Sequence, residues 1–178
     1  SEREFEADII IWPIEFAVAS NDLGNMYQSI DNSTDKIRVF LETAGIDASE
    51  ITYLPPVITD KSAQQYGNQP RAEYRYTASQ TVTVYSTNIA TVRNVMKNMS
   101  DLGKQGIAFS GDNYQSQTDY LFTRLSDVRP EMIEEATRAA RKVAEKFASD
   151  SKSTLGKIRT AQQGQFSISE RDKNNPHI

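Results

Sequence analysis

Between Glu73 and Ser86 the chain alternates: Tyr74, Tyr76, Ala78, Val82 and Val84 fall at one parity, Arg75, Thr77, Ser79, Thr81 and Thr83 at the other. A period of two lets one row of side chains meet a core while the other meets water, which is the pattern of an antiparallel sheet covered on one side only. That strand needs partners. The stretch from Phe5 to Ala19, rich in Ile, Val, Phe and Trp, reads as a long strand moderately buried on both faces. Pro13 interrupts it with a missing N–H, so an edge or a bulge is expected there. Glu50 to Thr59 reads as a further strand, made an edge or bent one by Pro55-Pro56, and joins Glu73–Ser86 across a polar loop from Asp60 to Ala72 containing Gly67 and Pro70.

Three segments carry the helical period. Asn21-Asp22 offers an N-cap, after which Met26, Tyr27, Ile30, Ile37, Phe40, Leu41 and Ala44 line one face and Gly45 ends the helix. Asn88 caps a second, with Ile89, Val92, Val95, Met96, Met99 and Leu102 inward and Gly103 as its terminator. Two short strands follow, Gln105 to Ser110 and Tyr114 to Ser126, around a Gly111-Asp112-Asn113 turn of hairpin chemistry. The third helix takes Asp127 as cap and Pro130 in its first turn, and runs to about Ser151. Its stripe of Met132, Ile133, Ala136, Ala139, Ala140, Val143, Ala144, Phe147 and Ala148 suits close approach to a sheet. A last strand from Gly156 to Ile168 leads to a polar tail, 170–178. The expectation is one α+β domain spanning 1–178, with three helices on a mainly antiparallel, twisted sheet. The first two helices each end at glycine and lead into a two-strand excursion, an echo short of a repeat.

A chain of 178 residues with 38% hydrophobic side chains can bury a core without a metal or disulfide. The net charge of −4 and the lack of a long basic run argue against a nucleic-acid binder, which needs a cationic face. With no cysteine, thiol catalysis and Cys-type zinc sites are excluded. No apolar run nears the ~20 residues that span a bilayer. The abrupt Ser1-Glu2-Arg3-Glu4 start resembles a trimmed mature product.

The lone histidine, His177, sits near the chain end, so neither a Ser–His triad nor a His-rich metal site can be assembled within one chain. Glu131, Glu134 and Glu135 cluster on a polar helix face, where solvation is the simpler reading than acid catalysis or metal binding. Asp112 and Asp119 flank a hairpin, where aspartate commonly mimics backbone. Neither phosphate-loop pattern occurs, and Gly156-Lys157 is read as a turn. Asn32 and Asn98 begin glycosylation-type triplets on expected helices. Tyr74, Tyr76 and Tyr85, with Arg71 and Arg75 nearby, could stack bases, but cross-strand packing fits the acidic chain better. No catalytic, cofactor-binding or metal residue is assigned. The sheet edges stand out: Pro13, Pro55, Pro56, Tyr74 and Tyr76 mark a candidate interaction surface for another subunit, against the plainer reading that the prolines guard those edges.

Three segments carry a resemblance: TAGIDASEI after the first helix, YRYTASQTVTV as the central strand, and LSDVRPEMIEEATRAARKVAEKFASDSKSTLGKI at the third helix. Together with Asp8 in the first strand they resemble the SIMPL-domain family over roughly Phe5 to Ser169. The resemblance implies an exported bacterial protein, periplasmic or envelope-associated, from a family linked to oxidative-stress tolerance and host immune recognition, some of whose members form rings or channels. It brings no catalytic residues. Two departures bear against carrying over any specific ring geometry: family members usually continue into another strand beyond Ser169, and the insert around Gln105 to Gln117 is idiosyncratic. The expected function is a non-enzymatic, self-associating envelope protein without a transmembrane segment. A small-ligand or peptide-binding periplasmic module is the alternative, and a carboxylate-only enzyme a third.

Overall fold

The computed structural model describes residues 3–64, 73–110, 117–162, 164 and 167–169. They divide into two compact units: Ala7–Leu121, and Ser1–Glu6 together with Phe122–Ile178.

The first unit is built on two long antiparallel strands, β1 (Ile9–Ser20) and β4 (Tyr76–Ser86), which pair without interruption from Ile10↔Ser86 to Ser20↔Tyr76. Outside β4 lie β2 (Ile51–Tyr53) and β3 (Val57–Asp60); outside β1 lie β5 (Ala108–Phe109) and β6 (Asp119–Leu121). All pairings are antiparallel. The helices are α1 (Leu23–Thr43), α2 (Ile89–Met96) and α3 (Ser100–Lys104). The alternation read from the sequence sorts the sheet's two faces. Ile10, Trp12, Ile14 and Phe16 of β1, with Ala78, Val82 and Val84 of β4, are buried with Met26, Ile30, Ile37 and Leu41 of α1 and Val92, Val95 and Leu102 of α2 and α3. Residues of the opposite parity, such as Ile11, Pro13, Glu15, Thr81 and Thr83, are half-buried. The expected α+β class with an antiparallel, twisted and unclosed sheet is what the chain forms.

The same local chemistry opens both helical arms. At the end of β1 the Ser20 hydroxyl oxygen accepts from the Asp22 N–H (3.1 Å), and Asp22 Oδ1 accepts from the Asn25 N–H (2.8 Å). At the end of β4 Ser86 accepts from the Asn88 N–H (2.9 Å), and Asn88 Oδ1 from the Thr91 N–H (3.2 Å). Each cap satisfies helix donors that would otherwise be orphaned. Both arms also close alike. Gly45, at φ +92°, donates to the Glu42 carbonyl, and Ile46 donates to Leu41; Gly106, at φ +88°, donates to Gly103, and Ile107 to Leu102. These are paired C-terminal bonds around a left-handed residue, with the next side chain, Ile46 or Ile107, buried.

Two expectations change in this unit. The helix foreseen from Asn88 to Gly103 is two helices, because at Asn98 and Met99 the N–H groups reach back only three residues, to Val95 (2.9 Å) and Met96 (3.3 Å), and the tightened turn redirects the chain. Gly103 therefore lies inside α3, and Gly106 is the terminator. The foreseen strand from Tyr114 to Ser126 is only Asp119–Leu121 among the described residues. The Gly111-Asp112-Asn113 turn and most of the Asp60–Ala72 loop, with Gly67, Pro70 and Arg71, lie outside the described residues.

The second unit contains α4 (Leu125–Asp150). It begins before the expected Asp127 cap, so Pro130 is the sixth helical residue and removes the N–H that would bond to Ser126. The helix ends like the others: Lys152, at φ +54°, donates to Ser149 (3.1 Å) and Ser153 donates to Ala148 (2.8 Å). No residue of α4 is buried. Alanine's helix propensity and the i,i+4 ion pairs Glu134–Arg138 and Arg141–Glu145 hold the helix without that burial. The strand expected from Gly156 to Ile168 does not form among the described residues. A strand needs a neighbour to complete its hydrogen bonds, and none of the described strands lies in this unit.

Candidate functional site

The carboxylates weighed for catalysis are tied to arginines. Arg3 clamps two of them: Nη1 donates to Glu131 Oε2 (2.9 Å), while Nη2 (2.9 Å) and Nε (3.1 Å) donate to Glu135 Oε2. The hydrogen bond it donates to Glu131, then those to Glu135, raise the arginine's pKa. Glu134 pairs with Arg138. Asp119 sits exposed in β6 opposite Ile11, and Asp112 and His177 lie outside the described residues. Among the described residues no three His, Cys, Asp or Glu side chains gather where a metal could be held.

The most perturbed carboxyl is Asp60, at the end of β3. Arg75 donates to it through Nη2 (2.9 Å) and Nε (3.3 Å), and the Ser62 hydroxyl adds a 2.6 Å bond. The Arg75 guanidinium first, and Ser62 second, hold this carboxyl down at about 2. The same guanidinium lies 4.8 Å from the Tyr76 ring centroid. This accounts for the tyrosines that could have stacked bases. Tyr76 is half-buried beneath Arg75, Tyr85 projects from the opposite face of β4, and Tyr74 precedes the strand. No continuous aromatic platform forms from the three.

The prolines of the candidate surface fall in two places. Pro13 lies within β1, opposite Thr83, with no break in register. Backbone groups of alternate strand residues point to alternate neighbours, and the Glu15 carbonyl accepts from Ser110 on the side away from β4. Pro13, two residues earlier, turns its missing donor to that same side, where the described strands leave Trp12–Ile14 unpaired between β6 and β5. Pro55 and Pro56 separate β2 from β3 on the outer flank of β4. Four steps from Tyr53 to Val57 oppose three from Val82 to Ser79, so the flank carries one inserted residue. Gln80 stabilises the break, its Nε2 donating to the Leu54 carbonyl (2.8 Å) while its Oε1 lies 2.7 Å from the Thr34 hydroxyl.

The apolar stripe foreseen on the third helix lies at the surface of α4. Ile133 (37% exposed), Val143 (57%) and Phe147 (72%) recur along one face, and Ile158 beyond the helix is 75% exposed. The stripe's three-and-four spacing is that of a helix facing a core. A shallow groove beside Phe147, lined by Ala144, Ala148, Thr154 and Leu155, continues this surface. In the first unit a second open groove runs along α1 past Val39, Phe40 and Thr43 to Gln105, whose carbonyl accepts from Lys36 Nζ (2.9 Å).

Comparison with known families matches residues 1–177 to the SIMPL family, described as "Protein of unknown function (DUF541)". The chain belongs to the SIMPL family. The match takes in the three segments on which the resemblance was read, and both structural units. No curated protein matches this SIMPL chain. In the Ala7–Leu121 unit the apolar residues form the hydrophobic core, and in the α4 unit Val143 and Phe147 are exposed. No helix among the described residues is long and apolar enough to cross a membrane.

Proposed function

We propose that this SIMPL protein is a non-enzymatic, self-associating protein of the bacterial cell envelope, with a structural or stress-related role. The observation that carries the reading is the recurrence of large, exposed apolar side chains on α4. Contiguous apolar surface of this kind is typical of protein contact surfaces. The engagement of Glu131, Glu134, Glu135 and Asp60 by arginines supports the non-enzymatic part, since a general acid or base must be available to a substrate proton. The envelope location rests on the family resemblance.

Sedimentation of the chain tests it. The expected result is a species heavier than 20.0 kDa that dissociates on dilution. A single 20.0 kDa species at every concentration would overturn the self-association reading. The alternative, a small-ligand or peptide-binding module, draws support from the α1 groove, where apolar Val39 and Phe40 lie beside Lys36. A thermal-shift response to a peptide, abolished by Val39→Glu, would favour that alternative.

A further inference from the structure

The uncovered face of α4 has a defined centre. Ile133, Ala136, Ala140, Val143 and Phe147 follow the three-and-four spacing of a helix–helix seam. Ala140 lies midway between Ile133 and Phe147, so reversing the helix about Ala140 exchanges the bulky ends. Two such helices run antiparallel would place Ile133 against Phe147 at both ends and Ala140 against Ala140 in the middle. Small residues at the middle permit close axial approach, near the lower end of the 8–10 Å range for packed helices.

Charge selects the same direction. Arg138 is neutralised within its own chain by Glu134, and Arg141 by Glu145. Two carboxylates, Glu131 and Glu135, share the single guanidinium of Arg3, so the first half of the helix keeps an excess negative charge. Lys142 and Lys146 make the later half positive. Glu135, Lys142 and Lys146 lie on the same side of the seam, and reversal about Ala140 brings Lys146 of one copy beside Glu135 of the other. A parallel pair would instead set each Lys146 and Glu135 level with its own kind on opposite flanks of the seam, so that Lys146 would face no carboxylate of the other copy. Antiparallel pairing also opposes the helix dipoles favourably.

We propose that α4 is the self-association surface, and that it pairs antiparallel with α4 of a second copy of this chain about a two-fold axis at Ala140. An interface of this kind is self-complementary: what one copy offers at Ile133 the other fills with Phe147. The proposal rests on the self-association reading above and names its surface and partner.

The absence of cysteine from the whole chain makes single-cysteine cross-linking clean. In the full chain, Ala140→Cys is expected to form a disulfide-linked dimer on mild oxidation. Ile133→Cys alone and Phe147→Cys alone are expected to stay uncross-linked, because two copies of either residue would sit about 21 Å apart along the axis. An equimolar mixture of the two variants is expected to cross-link. Self-cross-linking by Ile133→Cys alone or Phe147→Cys alone would mean a parallel pair and overturn the arrangement. If none of these cross-link while the unmodified chain still sediments above 20.0 kDa, the α4 pairing fails and the self-association reading survives. A chain that is monomeric throughout removes both, and a monomer that floats with phosphatidylglycerol vesicles assigns the α4 face to a lipid surface instead.

Discussion

Gly45 and Gly106 occupy equivalent positions at the ends of the two helical arms of the sheet unit, at φ +92° and +88°, each followed by a buried isoleucine. The equivalence extends to topology. β1 leads through its helix to strands that pair with β4, and β4 leads through its helices to a strand that pairs with β1, so the order β2-β4-β1-β5 reads the same when the halves are exchanged. An added Cβ meets nothing within 4 Å at either glycine, which leaves backbone conformation as the sole penalty. Gly45→Ala and Gly106→Ala are each expected to lower the unfolding free energy by about 1–2 kcal/mol in urea titrations. Gly103→Ala, at an open position within α3, is expected to raise it by about 0.5–1 kcal/mol. Lys152 holds the same conformational place after α4 without being glycine, so Lys152→Gly is expected to stabilise that helix end.

The Asp60–Arg75 pair should be visible in acid. The Asp60 carboxyl, normally near 3.8, is held at about 2 by the guanidinium. A carboxyl with a depressed folded-state pKa binds its proton more weakly folded than unfolded, so its contribution is complete above about pH 4 and fades as the pH falls toward 2. Urea midpoints of the wild type and Asp60→Asn are expected to differ at pH 6 and converge between pH 4 and 2. Because the pair is solvent-exposed, the difference should also shrink in 1 M salt. A gap that persists unchanged at pH 2 would assign the effect of the substitution to packing.

The sheet unit was largely legible because its signals are local. Alternation along β4, asparagine or aspartate ahead of α1 and α2, and Gly45 after α1 each act through bonds within a few residues. The proline break at Pro55-Pro56 was legible for the same reason. What escaped the sequence depends on partners distant in the chain. Val143 and Phe147 have the spacing of a core helix, and spacing alone does not say what covers them. The strand expected from Gly156 to Ile168 has extended composition but no described neighbour in its unit. The split of the second helix turns on hydrogen bonds at Asn98 and Met99 that periodicity does not register. The tyrosines were misgrouped by proximity, since Tyr76 and Tyr85 differ in parity and so face opposite ways.

Phe16 and Phe147 give the sharpest contrast between core and interface. Phe16 is 1% exposed at the centre of β1, whereas Phe147 is 72% exposed. Phe16→Ala is expected to cost about 3–5 kcal/mol of stability through lost burial and a residual cavity. Phe147→Ala is expected to change the unfolding free energy of the dilute chain by less than about 0.5 kcal/mol, as for other exposed positions. Its effect should appear in the concentration dependence of sedimentation. A large loss of stability at infinite dilution would mean that Phe147 packs within its own chain.

The prolines of the edge can be tested apart from any interface. β2 and β3 together flank β4 over most of its length, and a continuous outer strand there would present a row of unpaired N–H and C=O groups to other chains. Pro55 and Pro56 withhold donors, and the inserted residue bends the edge at Leu54, where Gln80 takes up a carbonyl. Replacing both prolines with threonine restores two donors and raises strand propensity without touching the buried residues of β4. The double variant is expected to keep the wild-type melting temperature within a few degrees while gaining light scattering and thioflavin binding on incubation. If the prolines instead contact a second subunit, the variant should lose the native assembly and gain no scattering. Gln80→Ala separates the two roles further: it frees the Leu54 carbonyl, should destabilise the edge by about 1 kcal/mol, and leaves both proline rings in place.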